Sequence, residues 1–234
     1  PSPKYSDVKQ IKERTPSAKY VAFQINTSGN VEFDGNVLSG AILYGVNEDF
    51  KEIQQIETPN GRYISDAEFS SGSNVCVIGN EVAEKIFGSA ERAIGKNITA
   101  KNKKIQVVGV IKKQGQTMIG GWQLDKCVMM PFLFARTFMD ERHTDPGILV
   151  QGANNLSSKA IKDDLKGTMR AIHKLRPTQE DDFALNDIND FSDVIGNAFV
   201  SINIGGWAIA ALSLIVGMFG VANIMFVTVR ERTS

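Results

Sequence analysis

The chain has 234 residues, of which 42% are hydrophobic, and its 26 basic side chains balance 26 acidic ones. That length supports a buried core in one or two domains, which excludes a disordered tail or a disulfide-stapled miniprotein. Zero net charge argues against nucleic-acid binding, which normally needs a clustered basic excess. Two cysteines exclude a four-thiolate zinc site, and two histidines leave little room for metal or acid–base chemistry.

The first fifty residues predict one helix followed by two strands. The helix carries Val8 and Ile11 and ends before Pro16, because the residue preceding a proline avoids helical backbone angles. Residues 19–25 and 38–46 are apolar and predict strands. The polar sequence between them is rich in Gly and Asn and predicts a loop.

The central part of the chain is richer in predicted strands. Asn60–Gly61 marks a turn. The apolar segments 75–78, 104–111 and 128–131 predict strands, and a short amphipathic helix ending at Gly88 follows the first of them.

The last part before the end of the chain alternates strands and helices. Residues 148–150 and 183–185 predict strands, and residues 156–175 predict a helix with one apolar face. A further helix is predicted to begin near residue 190 and to continue into the apolar segment that follows.

Residues 205–229 contain no charged side chain. A helix of that length measures about 37 Å, enough to cross a hydrocarbon layer of about 30 Å. A buried helix of a soluble protein is less favoured, because such helices usually keep a polar edge. Arg230 and Arg232 follow the segment, whereas acidic and amide side chains precede it, so we predict that the carboxyl terminus is cytoplasmic and that residues 1–200 lie outside.

The apolar segment also has features that favour contact with other membrane helices. Small residues recur at four-residue spacing, and one amide lies within the apolar sequence, where an unpartnered polar group is costly. A single span without helix partners is the alternative. The candidate packing residues are Gly206, Ala210, Ser213, Gly217, Gly220 and Asn223, and the cytoplasmic boundary is Arg230 and Arg232.

A loop at residues 117–123 carries Met118, Ile119 and Trp122 around two glycines. Exposed apolar patches usually mark interfaces, so this is a candidate partner-binding loop. The alternative is that the three side chains pack onto the local core. Cys76 and Cys127 lie in apolar strands, and the sequence leaves open whether they pair.

The motifs that carry common chemistries are missing from the sequence. It has no phosphate-binding P-loop, no dinucleotide-binding fingerprint and no nucleophile elbow. We therefore expect no catalytic residue, no metal site and no cofactor in this chain. Because no export signal opens the sequence, we expect one upstream.

Two blocks of the chain carry a family pattern. Residues 61–98 followed by IQVVGVI combine an apolar strand ending in Gly, the helix end A-E-K-I-F-G, I-G-K and V-V-G-V. Residues 216–234 read VGMFGVANIMFVTVRERTS. The first block resembles the extracytoplasmic core domain of MacB-like and FtsX-like ABC transporter permeases, and the second is similar to the second membrane helix of that family.

The resemblance implies an α+β fold with a porter-like βαβ subdomain made from residues 1–55 and 145–200. A β-rich subdomain, residues 56–144, is inserted between these halves, and a transmembrane helix follows at 205–229. It also implies a permease of the inner (cytoplasmic) membrane whose main body is periplasmic. The implied partners are a cytoplasmic ABC ATPase subunit or domain, a second permease copy, and an extracytoplasmic protein or lipoprotein.

We interpret the chain as the part of a permease that transmits ATP-driven conformational change across the membrane, for export, lipoprotein release or partner activation. It is not expected to be an enzyme, because the ATPase would be a separate domain or subunit. The alternative is the extracytoplasmic sensor domain of a membrane receptor. Two further apolar spans downstream would indicate a permease, and a helical signalling linker would indicate a receptor.

Overall fold

The structure is a computed structural model that describes residues 2–115, 122–140 and 144–232. It divides into two compact units, Pro1–Leu185, which we call the body, and Asn186–Ser234. The body contains α1 (Tyr5–Arg14), β1 (Ala18–Phe33), β2 (Asn36–Val46), α2 (Phe50–Gln54), β3 (Asn60–Gly61), α3 (Asp66–Ser71), β4 (Val75–Ile78), α4 (Asn80–Phe87), α5 (Ala90–Ala93), β5 (Asn97–Ala100), β6 (Lys103–Val110), β7 (Cys127–Pro131), α6 (Phe132–Ala135), β8 (Gly147–Gly152) and α7 (Ser158–Ile172). The second unit contains α8 (Ile188–Arg232).

The strands of the described residues form one sheet whose central part closes on itself. β1 pairs with β2, β2 with β7, β7 with β4, β4 with β6, β6 with β5, and β5 pairs again with β1. The length of β1 permits this closure. One edge of β1 pairs with β2, while its other edge pairs with β8 along the first half and with β5 near the end.

All three segments of the predicted subdomain organisation contribute strands to this sheet. Residues 1–55 supply β1 and β2, residues 145–200 supply β8, and residues 56–144 supply the others. The α+β class with an apolar helix at the carboxyl end is confirmed. The subdomain boundaries themselves stay a prediction, and the parallel pairing of β2 with β7 joins the first segment to the inserted one.

Three local predictions are wrong, each because contacts from elsewhere in the fold decide the conformation. The expected loop between the first two strands is a long hairpin that turns at Asp34–Gly35, where both residues have positive φ. Asn60–Gly61 is not a turn but pairs with the end of β6. Residues 183–185 form no strand, although Phe183 and Leu185 pack against the core.

The sheet separates two apolar clusters. The first contains the inner faces of α1, α4 and α7, and the second contains α2 and α3. Side chains alternate between the clusters along a strand, so that Val21 and Phe23 belong to the first and Ala22 to the second.

The two cysteines are free and fully buried on opposite sides of the sheet. Cys76 belongs to the first cluster and Cys127 to the second. A disulfide needs Cβ atoms that face each other at about 4 Å, which two side chains on opposite sheet faces do not provide. The structure therefore settles the open question: the pair does not form. Burial raises the pKa of both thiols.

Helix α3 begins with a capping box that includes an ion pair. The Ser65 backbone N–H donates to Glu68 Oε2 at 2.9 Å and the Ser65 hydroxyl donates at 2.8 Å. The Arg62 guanidinium donates to both oxygens of the same carboxylate, each at 2.7 Å. The Arg62 bond, followed by the Ser65 bonds, lowers the pKa of Glu68 to about 2.

We expect the stabilising effect of Glu68 to depend on pH. Because the folded state favours the carboxylate, its contribution is complete above the ordinary pKa of 4.5 and is lost as the pH falls toward 2. Glu68→Gln should lower the free energy of unfolding by about 1 kcal/mol at pH 7, since the exposed arginine limits the strength of the pair. Denaturation of both proteins between pH 7 and pH 2 should show this difference shrinking. In an Arg62→Ala background most of the pH dependence should disappear, and a constant difference across the range would contradict the assignment.

Candidate functional site: helix α8 and the segment leading into it

Helix α8 is one continuous helix of 45 residues. Its stretch Phe199–Ala222 has a mean hydropathy of 2.0 and is not buried within the structure. These 24 residues measure about 36 Å along the helix, so length and composition permit them to cross a bilayer. The apolar stretch starts at Phe199, earlier than the predicted start at residue 205.

The small residues of α8 follow one another along its surface at spacings of three and four, which places them on one face of the helix. All are exposed, and a Cβ built on any of the glycines among them meets no atom within 4 Å. Their role in helix packing stays a prediction. The face carries Gly206, Ala210, Ser213, Gly217 and Gly220, while Asn223, Arg230 and Arg232 lie on α8 with side chains outside the described part.

The structure describes only the last two residues of the candidate partner-binding loop, 122 and 123. Trp122 packs edge-on against Phe50, with ring centroids 5.3 Å apart, and against Tyr44 at 5.5 Å. This partly buried side chain therefore packs against the second apolar cluster, as the alternative interpretation predicts. Met118 and Ile119 lie outside the described residues, so the partner-binding role of the loop stays a prediction.

Helix α7 has one apolar face and two polar faces. One polar face contacts the segment near the start of the body, and the other contacts the segment at its end. The apolar face buries Leu165 and Met169. On the first polar face, Ser17 Oγ donates to Asp164 Oδ2 at 2.5 Å. Thr15 Oγ1 donates to Thr168 Oγ1 at 2.9 Å in the interior. Residues 164 and 168 therefore attach α7 to the segment between α1 and β1.

The second polar face of α7 holds the segment that leads toward α8. We call residues 176–185 the connector. The Arg170 guanidinium donates to the Asp181 carboxylate, to Arg176 O at 2.6 Å and to Gln179 O at 2.9 Å. Lys166 Nζ lies 2.8 Å from Asp181 Oδ2. The Lys166 and Arg170 bonds lower the pKa of Asp181.

The end of the connector nearest α8 is held by apolar contacts and by one histidine. His173 Nδ1 lies 2.6 Å from Asp182 Oδ1, and its ring meets Phe183 edge-on at 5.6 Å. Phe183 and Leu185 pack against the first apolar cluster. Only Asn186 and Asp187 separate the connector from the first residue of α8.

Sequence reasoning missed the connector site. The acidic pair at 181–182 looks like an ordinary solvated loop, and the basic residues of α7 look like a solvated helix face. The available signal was the spacing of Lys166, Arg170 and His173, which puts three basic side chains on one face. Nothing in the sequence showed that the chain after Pro177 turns back to meet them.

The described residues contain no group of three or more His, Cys, Asp or Glu side chains that could hold a metal ion. A polar open groove of about 450 Å³ lies between β1 and the β5–β6 turn. It is lined by Ser28, Gly29, Asn30, Glu32, Thr99, Lys101 and Asn102.

Two solved structures share this fold. The periplasmic region of MacB from Actinobacillus actinomycetemcomitans superposes with a TM-score of 0.68 at 17% identity, covering 83% of each chain. The extracellular domain of the noncanonic ABC-type transporter YknZ from Gram-positive bacteria superposes with a TM-score of 0.62 at 23% identity, covering 76% of this chain and 87% of the other.

Sequence relatives extend the comparison. The pyoverdine export ATP-binding/permease protein PvdT of Pseudomonas savastanoi pv. phaseolicola is 32% identical over 201 residues, which is 85% of this chain. The probable syringafactin export ATP-binding/permease protein SyfD of Pseudomonas syringae pv. tomato is 29% identical over 199 residues. The chain spans about 30% of the length of these curated relatives. The family profile of the MacB-like periplasmic core domain matches residues 1–168, and the chain therefore belongs to that family.

Proposed function

We propose that this chain is the extracytoplasmic part of an ABC export permease that passes ATP-driven conformational change across the membrane. Family membership supports the permease assignment, and the relatives named as export ATP-binding/permease proteins support export as the outcome. The observation that carries the proposal is the continuity of α8, which runs from Ile188 through the apolar stretch to Arg232.

An unbroken helix can pass displacement along its axis, because its backbone hydrogen bonds resist bending and compression. The sequence has no proline between residues 188 and 232. A shift imposed at the end near Arg232 would therefore reach Ile188 with little loss. The body receives that shift through the connector.

The proposal includes a membrane arrangement and a set of partners. Helix α8 crosses the inner membrane with Arg230 and Arg232 at the cytoplasmic side, and the body lies outside. ATP is hydrolysed by a cytoplasmic ABC ATPase domain or subunit. A second permease copy packs through the small-residue face of α8, and an extracytoplasmic protein receives the motion of the body.

A proline in α8 outside the apolar centre tests the proposal. In the full-length permease with its ATPase, Val200→Pro should reduce export at least about tenfold, because a helix-interior proline removes a backbone hydrogen bond and kinks the helix. ATP hydrolysis should continue, since the ATPase lies elsewhere. Val200→Ala is the matched control and should export normally. Full export by a membrane-inserted Val200→Pro protein would show that α8 does not transmit the motion.

A further inference from the structure

We propose that Arg170 is a positioning residue that makes the connector rigid, so that displacement of α8 is delivered to α7 and not absorbed by the intervening chain. This inference rests on the proposed function. Arg170 acts by holding the segment that joins α8 to the body.

The geometry of the guanidinium suits this role. One planar group contacts the carboxylate of Asp181 and the backbone carbonyls of Arg176 and Gln179, three points spread along the connector. The Arg170 side chain is 22% exposed, and its bond to Asp181 is partly buried, whereas its two bonds to backbone carbonyls are exposed. A lysine presents one compact ammonium and cannot span the same three acceptors.

The connector needs such a restraint because it lacks regular secondary structure and directly precedes α8 in the chain. It has no regular secondary structure from Pro177 to Leu185, and a segment without a hydrogen-bond ladder normally bends under load. Phe183 and Leu185 fasten the end nearest α8. Arg170 fastens the beginning, and only two residues remain between the fastened segment and α8.

The opposite polar face of α7 passes the displacement on to the segment before β1. Asp164 and Thr168 bond to Ser17 and Thr15, which immediately precede β1. Because β1 pairs with β2, β5 and β8, movement of α7 reaches the closed sheet through a strand that contacts three others. The path thus runs from α8 through the connector and α7 to β1.

The test uses the full-length permease with its ATPase and measures both rigidity and coupling. Arg170→Ala should raise the hydrogen-exchange rate of the backbone amides of residues 176 and 178–181 at least about tenfold, because the bonds that hold the connector are lost. Export should fall at least about fivefold while ATP hydrolysis is unchanged. Arg170→Lys should give intermediate values of both. Lys159→Ala removes an exposed charge from the same helix and is the matched control, with neither quantity changed.

The outcomes separate this inference from the proposed function. Faster connector exchange with normal export would overturn the coupling role of Arg170, and unchanged exchange would overturn the restraint itself. If Arg170→Ala reduces the folded yield, Arg170→Lys carries the same two measurements. A Val200→Pro protein that exports normally refutes the proposed function. If Val200→Pro abolishes export and a loosened connector does not, only the inference about Arg170 fails.

Discussion

Gly79→Ala should lower the free energy of unfolding of the body by about 3 kcal/mol, the upper end of the usual range for overpacked sites. A Cβ at this position would lie 2.2 Å from the carbonyl oxygens of both Leu124 and Asp125. These are backbone atoms and cannot rotate away as a side chain would. Gly79 also joins β4 to α4 and donates its N–H to Cys127 O at 2.9 Å, so any shift disturbs the pairing of β4 with β7.

Chemical denaturation of residues 1–185, the compact unit, measures this effect. Gly167→Ala is the matched control. Gly167 lies inside α7 with open space around it, and alanine should stabilise the helix by up to about 1 kcal/mol. The same substitution should therefore have opposite signs at the two glycines. Equal stability of Gly79→Ala and the unmodified protein would mean that the backbone of Leu124 and Asp125 does not approach Gly79 as closely as described.

Phe23→Ala should cost about 3–5 kcal/mol of unfolding free energy, as truncation of a fully buried aromatic residue usually does. Phe23 has no exposed surface and meets two rings edge-on, Tyr5 at 5.5 Å and Phe132 at 4.9 Å. Tyr5 and Phe132 stack on each other at 4.4 Å. These three rings join α1, β1 and α6, so the cavity would loosen three elements together.

Thermal unfolding provides a second measurement of Phe23→Ala. For a body of this size, the loss corresponds to a fall in Tm of roughly 6–20 °C. Val37→Ala is the comparison variant, because Val37 is 56% exposed on β2 and its truncation should change stability by less than about 0.5 kcal/mol. A small change for Phe23→Ala would contradict the aromatic packing.

Two glycines of the first family block, Gly79 and Gly109, have structural explanations. Gly79 ends the apolar strand of that block, and Gly109 is the glycine of V-V-G-V. A Cβ on Gly109 would lie 2.2 Å from Arg62 O. Both positions mark places where one backbone passes close to another. These two glycines of the block thus have a packing role in the body.

Helices and strands with a clear pattern of apolar residues were predictable from the amino-acid sequence. The helices α1, α4 and α7 each carry an apolar face, and the strands β4, β6 and β7 are compact apolar runs between turn residues. The outer half of the β1–β2 hairpin was missed because residues 26–37 are mostly polar. Their strand conformation depends on pairing, and Val31 and Glu32 also pair with β5, which lies far away in the sequence.

Helix α8 and the contacts of Arg170 differ in whether neighbouring or distant residues of the chain determine them. The apolar length of α8 and the arginines after it follow from solvation of each residue, so the amino-acid order alone predicts a membrane-crossing helix. The partners of Arg170, the opposite faces of the two cysteines and the closure of the sheet at β1 all need residues distant in the chain to meet. Such contacts produce no regular pattern of residues in the local sequence. Any exposed acid or carbonyl could have accepted hydrogen bonds from Arg170, and only the packed fold selects Asp181 and the connector backbone.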